Sequence, residues 1–485
     1  MRAWATMNPW KLLGFFAGLV TVVISIHPLL SPDVFMYVAI ADHWLANGVP
    51  TQDPFIIDPT KPFQIMHEWL SYFVFWTVNE IGGVDGEILF KAGLFAAMSA
   101  VVTRAAWRFK AHWFAYSAAL ALALTSAHFR MSERTSLFSD LFQLVCLVIA
   151  LRLFSDERIP VKRMSVGIFL LFALWTNLHA GWLFGLFLVV GGVAARFISR
   201  RSEGPLERRL VVLIIAAIAG LFVHPQGVFG VLYPFEFSQT LRKLYSMYYV
   251  EWAPIYVELL LNFIEVKVFL GFSILFSLVA LVAGFRRSLF EGAFLLFLVA
   301  LLVGPTYIHS RFVVVSSFGL AMLVAFTFRE RPAPTFRQVS AVSLVASAVA
   351  AFFLIWPVKN EASPVKLGVD ATLMPTTALE ELGKLPEANV FNSHEFGGAI
   401  AWRYRGRYKV VFHGFDTDPA RFLNDYFPAF ENEQACLRAI QKYRIRYFFL
   451  DRHGGAASIW KFLEKHGWTI KAYDSAAVLL VAPAM

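Results

Sequence analysis

Cysteine and charge are the scarce components of this sequence. Its 485 residues include 2 cysteines, Cys146 within an apolar run and Cys436 near the C-terminus, so no disulfide framework is indicated. Only 16% of the residues are charged, whereas a soluble domain carries about 25%. The composition therefore argues against a soluble enzyme, and the hydrophobic share of 58% indicates a different class of protein.

The apolar residues are gathered into runs of roughly 17–22 residues, the length that crosses the hydrocarbon core of a bilayer. The formal net charge of +9 arises from basic residues clustered at the ends of these runs, which is the positive-inside pattern and does not indicate nucleic-acid binding. Arg2 and Lys11 precede the first run, and no small-residue cleavage site follows it, so an uncleaved signal anchor is expected. The chain is predicted to be an α-helical polytopic membrane protein.

A cytoplasmic N-terminus, with every strong basic cluster on the same side, predicts about eleven spans and an extracytoplasmic C-terminal segment. The predicted spans are residues 10–30, 88–107, 112–128, 137–154, 164–178, 181–198, 210–224, 266–285, 289–305, 312–328 and 338–357. The apolar segment 69–83 is short for a span, and counting it would move the basic cluster after residue 107 to the outside. This segment is expected to lie at the outer surface or to dip partway into the membrane.

Two domains follow from this pattern: a transmembrane domain over 1–357, with a long first outer loop over 31–86, and a soluble α/β domain over 358–485. In the soluble part, alternating strand and helix patterns predict the α/β class. Strands are predicted at 388–393, 408–414, 443–451 and 476–483, and helices at 376–385, 418–430, 432–443 and 457–467. The adjacent glycines of the segment EFGGAIAW, residues 395–402, are expected to form a tight turn.

Unusual polar residues converge on the predicted outer side, whereas the inner loops hold mostly Lys, Arg and short turns. An ionisable residue near membrane depth is costly and is a candidate for a functional site. The candidates are Asp33, His67, Glu68, Arg130, Arg134, Asn177, His179, His224, Glu251 and Arg311.

Several segments carry a resemblance that covers nearly the whole chain. They are DVFMYVAIADHWLANGVPTQDPF, HEWLSYFVF, WTNLHAGWLFG, HPQG, EWAP, FNSHEFGGAIAWR and HGWTIKAYDSAAVLLVAP. On these segments the chain resembles GT-C-fold glycosyltransferases, and more closely a group of bacterial membrane proteins placed among glycosyltransferase-like proteins. The resemblance implies a GT-C-like fold in the bacterial inner membrane. It also implies a polyprenyl-phosphate sugar donor and a glycan or lipid acceptor, with inverting transfer expected.

Two segments depart from the pattern of GT-C enzymes. The second outer loop, RMSERT, has one acid between two arginines where many such enzymes have an acidic pair, and the first loop has His67-Glu68-Trp69 in place of Glu-Lys-Pro. No HExxH or comparable spacing is present, so no metal ligands are assigned. A divalent cation is compatible with the sequence but is not required by it, and the cofactor stays open.

Asp33 is the main catalytic candidate, because the resemblance places it where a GT-C enzyme keeps its first-loop carboxylate. An inverting transferase needs a base that takes the proton of the acceptor hydroxyl. The competing interpretation is local, since Ser31-Pro32-Asp33 also has the pattern of a helix start for a predicted helix over 34–46. His67 and Glu68 are the next catalytic candidates, or else an interfacial cap beside a Trp69 membrane anchor.

The substrate-binding candidates have competing structural interpretations too. Arg134 and Arg311, with Arg130, suit a carrier phosphate because a guanidinium matches its oxygens, or else they snorkel or pair with Glu133 or lipid headgroups. Asn177 and His179 either contact substrate or join helices as polar glue. His224 and Glu251 are weaker candidates, the latter with Trp252 as a sugar contact or as an interfacial pair.

Two functions from different classes fit these observations. The first is a membrane glycosyltransferase that moves a sugar from a polyprenyl-phosphate carrier to an extracytoplasmic glycan or lipid. The second is a non-catalytic protein of lipid-linked glycan translocation or envelope polysaccharide assembly. A transporter is expected to show inverted repeats or charges at the midplane of its spans, whereas here the charges lie at span ends, which favours the enzyme.

Overall fold

The computed structural model describes residues 8–60, 68–156, 158–200, 205–232, 235, 252–335, 338, 365–370, 374–415, 418–452 and 457–483. Within this part of the chain, residues up to 335 form a helical bundle and the C-terminal residues form a small mixed sheet with helices. Both cysteines are free and buried. The predicted last span, 338–357, lies almost entirely outside the described residues.

The bundle follows the predicted pattern of apolar runs closely. Its helices are α1 (Pro9–Ser25), α2 (Asp33–Asn47), α3 (Trp69–Arg108), α4 (Trp113–Ala127), α5 (Ser136–Ser155), α6 (Val161–Leu178), α7 (Trp182–Arg200), α8 (Pro205–Leu221), α9 (Glu258–Leu261), α10 (Ile264–Arg287), α11 (Leu289–Ile308) and α12 (Val313–Thr327). Among the described residues, 7 helices are long and apolar enough to cross a membrane, and α1 and α8 are shorter apolar helices. This pattern is that of a multi-pass membrane protein.

The 40-residue helix α3 consists of two pieces that meet at Gly83. Gly83 has φ 57° and ψ −150°, a backbone conformation that side-chain-bearing residues avoid. A Cβ on Gly86 would lie 2.9 Å from the carbonyl oxygen of Val78, so the second piece bends back against the first. The kink separates the segment predicted to lie at the outer surface, 69–83, from the segment predicted to span, 88–107.

The C-terminal residues form a four-stranded sheet in the order β1-β2-β4-β3. The strands are β1 (Asn389–Asn392), β2 (Ile445–Asp451), β3 (Thr469–Tyr473) and β4 (Ala477–Val481). β1 pairs parallel with β2, whereas β4 pairs antiparallel with both β2 and β3. The helices are α13 (Thr376–Gly383), α14 (His394–Tyr404), α15 (Pro419–Arg421), a π-helical turn (Phe422–Tyr426), α16 (Phe427–Glu431), α17 (Glu433–Tyr443) and α18 (Ala457–Lys465).

The two faces of the sheet belong to different hydrophobic clusters, as the two-residue period of a strand requires. Phe448 and Leu450 of β2 pack with the C-terminal helices on one face. Tyr447 and Phe449 point to the other face, where the cluster includes α2 of the first outer loop. All the residues of α2 from Val34 to Ala41 are buried. The first loop therefore supplies a helix to the core of the C-terminal sheet.

The first loop also pairs with the C-terminal part through its backbone. The Ile57 N–H donates to the Val410 carbonyl at 3.0 Å, and the Val410 N–H donates to the Phe55 carbonyl at 2.9 Å. His413 Nε2 lies 3.0 Å from Asp53 Oδ2. Burial acts to raise the pKa of Asp53, but the charge and hydrogen bond of His413 outweigh it, so the pKa is lowered. Arg421 donates to the carbonyl of Ile57 at 2.6 Å. These contacts hold the first loop and the C-terminal residues on the same side of the bundle.

Two predictions for the C-terminal residues were wrong, and one strand was not predicted. The segment 395–402 is not a tight turn but lies inside helix α14, and its glycines serve close packing instead. The predicted strand at 408–414 forms only isolated bridges, from Val410 to Ile56 and Val390. β3 was not predicted, although Ile470 and Ala472 alternate with polar neighbours in its five residues, most of which are exposed.

Candidate active site

The described candidates lie at one end of the bundle, and the basic clusters predicted to be cytoplasmic lie at the other. Ser71 at the start of α3 donates to the carbonyl of Leu178 at the end of α6 at 2.5 Å. At the opposite end, Arg329 after α12 pairs with Glu291 at the start of α11 at 2.9 Å. The predicted convergence of polar residues is therefore present among the described residues.

Asp33 begins helix α2, where the positive end of the helix dipole favours a carboxylate. Ser31 Oγ donates to its Oδ2 at 3.3 Å, and Arg134 Nη2 lies 3.9 Å from the same oxygen. The side chain is 36% exposed, and its Oδ1 would lie 3.6 Å from a Cβ on Gly414 of the C-terminal part. A solvent-accessible carboxylate thus lies between the bundle and the C-terminal residues.

Glu68 precedes α3 and is buried, in contrast to Asp33. Its Oε2 accepts from the Thr135 hydroxyl at 2.6 Å, and its Oε1 accepts from the Tyr72 hydroxyl at 3.3 Å. Burial raises the pKa of Glu68 to about 7, against the opposing effects of the Thr135 bond, the Arg311 charge and the Tyr72 bond. The Asp33 carboxyl is thus partly exposed and the Glu68 carboxyl is buried. Such a difference in environment can give two carboxyl groups different acid and base roles.

Arginines surround these carboxyl groups. Arg134 adjoins Asp33, and Arg311 lies with its guanidinium 4.6 Å from the centre of the Trp252 ring. The positive charge of Arg311 also acts to lower the pKa of Glu68, against the larger effect of burial. The site thus combines carboxylates with guanidinium groups that suit a phosphate.

A buried ion pair holds the turn that precedes Asp33. Glu133 Oε2 accepts the backbone N–H groups of Leu30 at 3.1 Å and Ser31 at 3.3 Å. Its Oε1 lies 2.7 Å from Lys91 Nζ, and both side chains are fully buried. This pair fixes the entry of the chain into α2, and with it the position of Asp33.

Asn177, His179 and His224 are held by protein partners at the same end of the bundle. Asn177 donates to the carbonyls of Ala173 and Val223 and accepts from the Trp69 indole at 2.7 Å. The Nδ1 atom of His179 lies 2.7 Å from Ser139 Oγ. His224 accepts the Gln226 N–H at 3.2 Å, and burial lowers its pKa. The contacts of Asn177 and His179 support their interpretation as polar glue between helices, and the substrate-contact role of all three residues stays a prediction.

His67 and Glu251 lie outside the described residues, so their predicted roles stay predictions. Trp252, next to Glu251, is described. Its ring lies 5.5 Å from the His309 ring, and its carbonyl is 2.6 Å from His309 Nδ1. This contact joins the segment before α9 to the end of α11, beside Arg311.

A further pair of titratable residues at this site, His394 and Glu395, was not predicted from the sequence. They begin α14, and His394 Nδ1 lies 3.0 Å from Glu395 Oε1. Burial lowers the pKa of His394, but the hydrogen bond and charge of Glu395, with the charges of Asp33 and Asp451, raise it above its ordinary value. The sequence feature that could have identified them is the His-Glu dipeptide in the segment FNSHEFGGAIAWR.

This arrangement has the parts that a group transfer between oxygen atoms requires. A carboxylate open to solvent can accept a proton, and guanidinium groups beside it can receive a phosphate. No group of three or more His, Cys, Asp or Glu side chains in the described part of the chain is arranged to hold a metal ion.

No protein-family model matches the sequence, and no curated protein matches it. Among solved structures, the apo oligosaccharyltransferase of Archaeoglobus fulgidus matches at 13% identity and a TM-score of 0.51, covering 91% of this chain and 69% of that chain. The oligosaccharyltransferase AglB of the same organism, in complex with an inhibitory peptide and a dolichol-phosphate, matches with the same identity and coverage and a TM-score of 0.52.

ArnT from Cupriavidus metallidurans, bound to undecaprenyl phosphate, matches at 14% identity and a TM-score of 0.42, covering 98% of this chain and 99% of that chain. The likeness to the archaeal oligosaccharyltransferase confirms the predicted GT-C-like fold. At 13% identity it establishes the fold alone, so an activity has to rest on the residues of the site.

Proposed function

We propose that this protein is a membrane glycosyltransferase that moves a sugar from a polyprenyl-phosphate carrier to an extracytoplasmic glycan or lipid acceptor. The fold is one on which such chemistry occurs, since one of the similar structures is an oligosaccharyltransferase in complex with a dolichol-phosphate. Because fold and function are separable, the proposal rests on the residues at one end of the bundle.

The observation that carries the proposal is the juxtaposition of Asp33 and Arg134. A 36% exposed carboxylate and a 27% exposed guanidinium lie 3.9 Å apart, longer than a hydrogen-bonded pair. A purely structural ion pair would be expected to close to hydrogen-bond distance. Because both groups are partly exposed, a substrate that presents a hydroxyl and a phosphate can contact both.

The proposed step is an inverting displacement. Asp33 takes the proton of the acceptor hydroxyl while the acceptor oxygen forms a bond to the anomeric carbon of the sugar. The bond between that carbon and the phosphate oxygen breaks, and its electron pair leaves with the carrier phosphate. Arg134 and Arg311 stabilise the negative charge of the leaving phosphate, because guanidinium groups match its oxygens.

The C-terminal residues complete this site in the proposal. Gly414 lies over Asp33 Oδ1, and His394 is close enough for the Asp33 charge to raise its pKa. A raised pKa keeps His394 protonated to higher pH, so it adds positive charge beside the carboxylate. The acceptor is expected to approach through the gap between the C-terminal part and the bundle.

The test replaces Asp33 by Asn, which keeps the shape but removes the base. Release of free polyprenyl phosphate is measured with purified protein, a panel of polyprenyl-phosphate sugars and a membrane extract as acceptor source. The expected loss is about 10²–10⁴-fold, the usual contribution of a general base. Asp42→Asn is the matched control, because Asp42 lies on the same helix and pairs with Arg405 at 3.2 Å.

Near-normal release by Asp33→Asn, at a normal protein level, would remove Asp33 from the mechanism and make Glu68 and His67 the next candidates. Carrier binding without release from any donor in wild-type protein would favour the alternative, a non-catalytic protein of glycan translocation or assembly.

A further inference from the structure

A basic groove lies at the end of the bundle opposite to Asp33. It is formed by the start of α1, the end of α3 and the residues that follow α12, and it encloses about 820 Å³. The straight second piece of α3, residues 84–108, is about 37 Å long, so the groove is separate from the proposed transfer site. Its chemistry therefore needs its own explanation.

The charge of this groove, here called the basic groove, is of one sign. Among the described residues, its lining has no acidic side chain. It has four cationic side chains, those of Arg104, Arg108, Lys110 and Arg331. Arg108 forms an ion pair at 2.5 Å with Asp156, which does not line the groove. For the other three, no acidic partner lies within ion-pair distance in the described part of the chain.

The groove is also shaped by the backbone. Lys110 has φ 50° and Glu330 has φ 63°, left-handed conformations that L-residues adopt rarely. They accompany two hydrogen bonds between the segments: Arg331 N–H donates to the Lys110 carbonyl at 2.8 Å, and Glu330 N–H donates to the Phe109 carbonyl at 3.1 Å. The segments are thus joined so that Lys110 and Arg331 line one concavity.

Two tryptophans complete the lining. Trp107 lies with its ring centre 4.7 Å from the guanidinium of Arg104, and Trp10 is buried at the start of α1. A guanidinium stacked on an indole is held with its donors directed outward. Tryptophans are typical of the membrane interface, where a lipid headgroup would lie.

The positive-inside bias explains why basic residues lie at this end, but not this arrangement. That bias requires cations in the loops and places no requirement on concavity, on the absence of acids or on joined segments. Exposed basic residues elsewhere at this end, such as Lys162, Arg163 and Arg209, do not line the groove. The concentration of cations in one cavity indicates a ligand.

We propose that the basic groove binds a phosphate-bearing anion. Arginine and lysine donors around a cavity match phosphate oxygens. Basic pockets between membrane helices on the cytoplasmic side are known to bind anionic lipid headgroups. Two sources share this chemistry: the headgroup of an anionic membrane lipid, and a soluble phosphate. The experiment has one arm for each source.

In the lipid arm, full-length protein is reconstituted in phosphatidylcholine vesicles with and without phosphatidylglycerol, extracted, and analysed by native mass spectrometry for retained lipid. The test variant carries Arg104→Gln, Lys110→Gln and Arg331→Gln. It is expected to weaken retention of phosphatidylglycerol by roughly a hundredfold, since each hydrogen bond donated directly to the bound phosphate contributes about fivefold. The control variant Lys162→Gln, Arg163→Gln and Arg209→Gln removes equal charge outside the groove and is expected to retain the lipid.

In the soluble arm, pyrophosphate is titrated against the same proteins in detergent, and the thermal unfolding temperature is followed. Stabilisation of the wild type that is lost in the groove variant, without selective lipid retention, assigns the groove to a soluble phosphate. If the triple variant does not fold, Arg104→Gln alone is used, with an expected change of about fivefold. The proposal is overturned if wild-type protein binds neither probe, or if groove and control variants behave alike.

Discussion

Glu68 is a carboxyl group buried beside hydroxyl donors, and its ionisation couples stability to pH. Its pKa is raised from 4.5 to about 7 by burial. As pH rises from about 4.5 to about 7, the unfolded chain ionises before the folded one, so stability falls by about 3 kcal/mol in total. Below this window both states are protonated, and above it the loss is complete.

The variant Glu68→Gln lacks this ionisation, so its stability is expected not to fall through the same window. Thermal unfolding of both proteins in detergent from about pH 4 to about pH 8 gives the difference in stability. The wild type is expected to lose stability relative to Glu68→Gln as pH rises. Parallel curves would mean that the Glu68 carboxyl is not buried as described.

Individual site residues could be predicted from the sequence, but contacts between distant residues could not. Asp33 was singled out by the resemblance, and Glu68, Arg134 and Arg311 because ionisable residues near membrane depth converge on the predicted outer side. Lys91 could not be paired with Glu133 from sequence, because the pairing joins positions 42 residues apart across two helices. The roles of Asp33, Glu68, Arg134 and Arg311 in catalysis and substrate binding stay predictions.

Two adjacent glycines of helix α14 allow close packing on two sides, against Phe412 of the C-terminal part through Gly397 and against α2 through Gly398. A Cβ on Gly397 would lie 2.6 Å from the carbonyl oxygen of Phe412. A Cβ on Gly398 would lie 3.2 Å from the backbone nitrogen of Met36. The first of these distances is too short for any side chain without a shift of the backbone.

Gly397→Ala is therefore expected to destabilise the protein by about 1–3 kcal/mol, although alanine favours a helix over glycine. Thermal unfolding in detergent measures the change. Gly93→Ala is the matched control, because Gly93 is also helical but has no neighbour within 4 Å of its Cβ position. The control is expected to be neutral or slightly stabilising, and an equally neutral Gly397→Ala would contradict the close packing of α14.

The boundaries of α4, α5 and α12 were predicted to within one residue, because length and apolar content decide them, whereas α1 ends at Ser25 and not at residue 30. α5, predicted over 137–154, covers Ser136–Ser155. The segment 395–402 was predicted wrongly because glycine pairs favour turns locally, whereas here tertiary packing requires small residues within a helix. Such contacts between distant segments are not encoded in local patterns.

Across the whole molecule, the first outer loop and the C-terminal residues share one hydrophobic cluster and so lie on one side of the membrane. The positive-inside pattern predicts that this side is extracytoplasmic. A reporter fused after residue 485 is expected to behave as an exported protein. Activity of the fusion only in the cytoplasm would contradict the predicted extracytoplasmic location of the C-terminal residues and of the site that they share with the first loop.

The central claim is that the end of the bundle with Asp33 receives a polyprenyl-phosphate carrier. The most direct test is an experimental structure of the full-length protein, solved with saturating polyprenyl phosphate in a lipid nanodisc. We predict density for the phosphate beside Asp33, within hydrogen-bond distance of Arg134 or Arg311. A well-resolved site without this density, or carrier density confined to the opposite end of the bundle, would contradict the account.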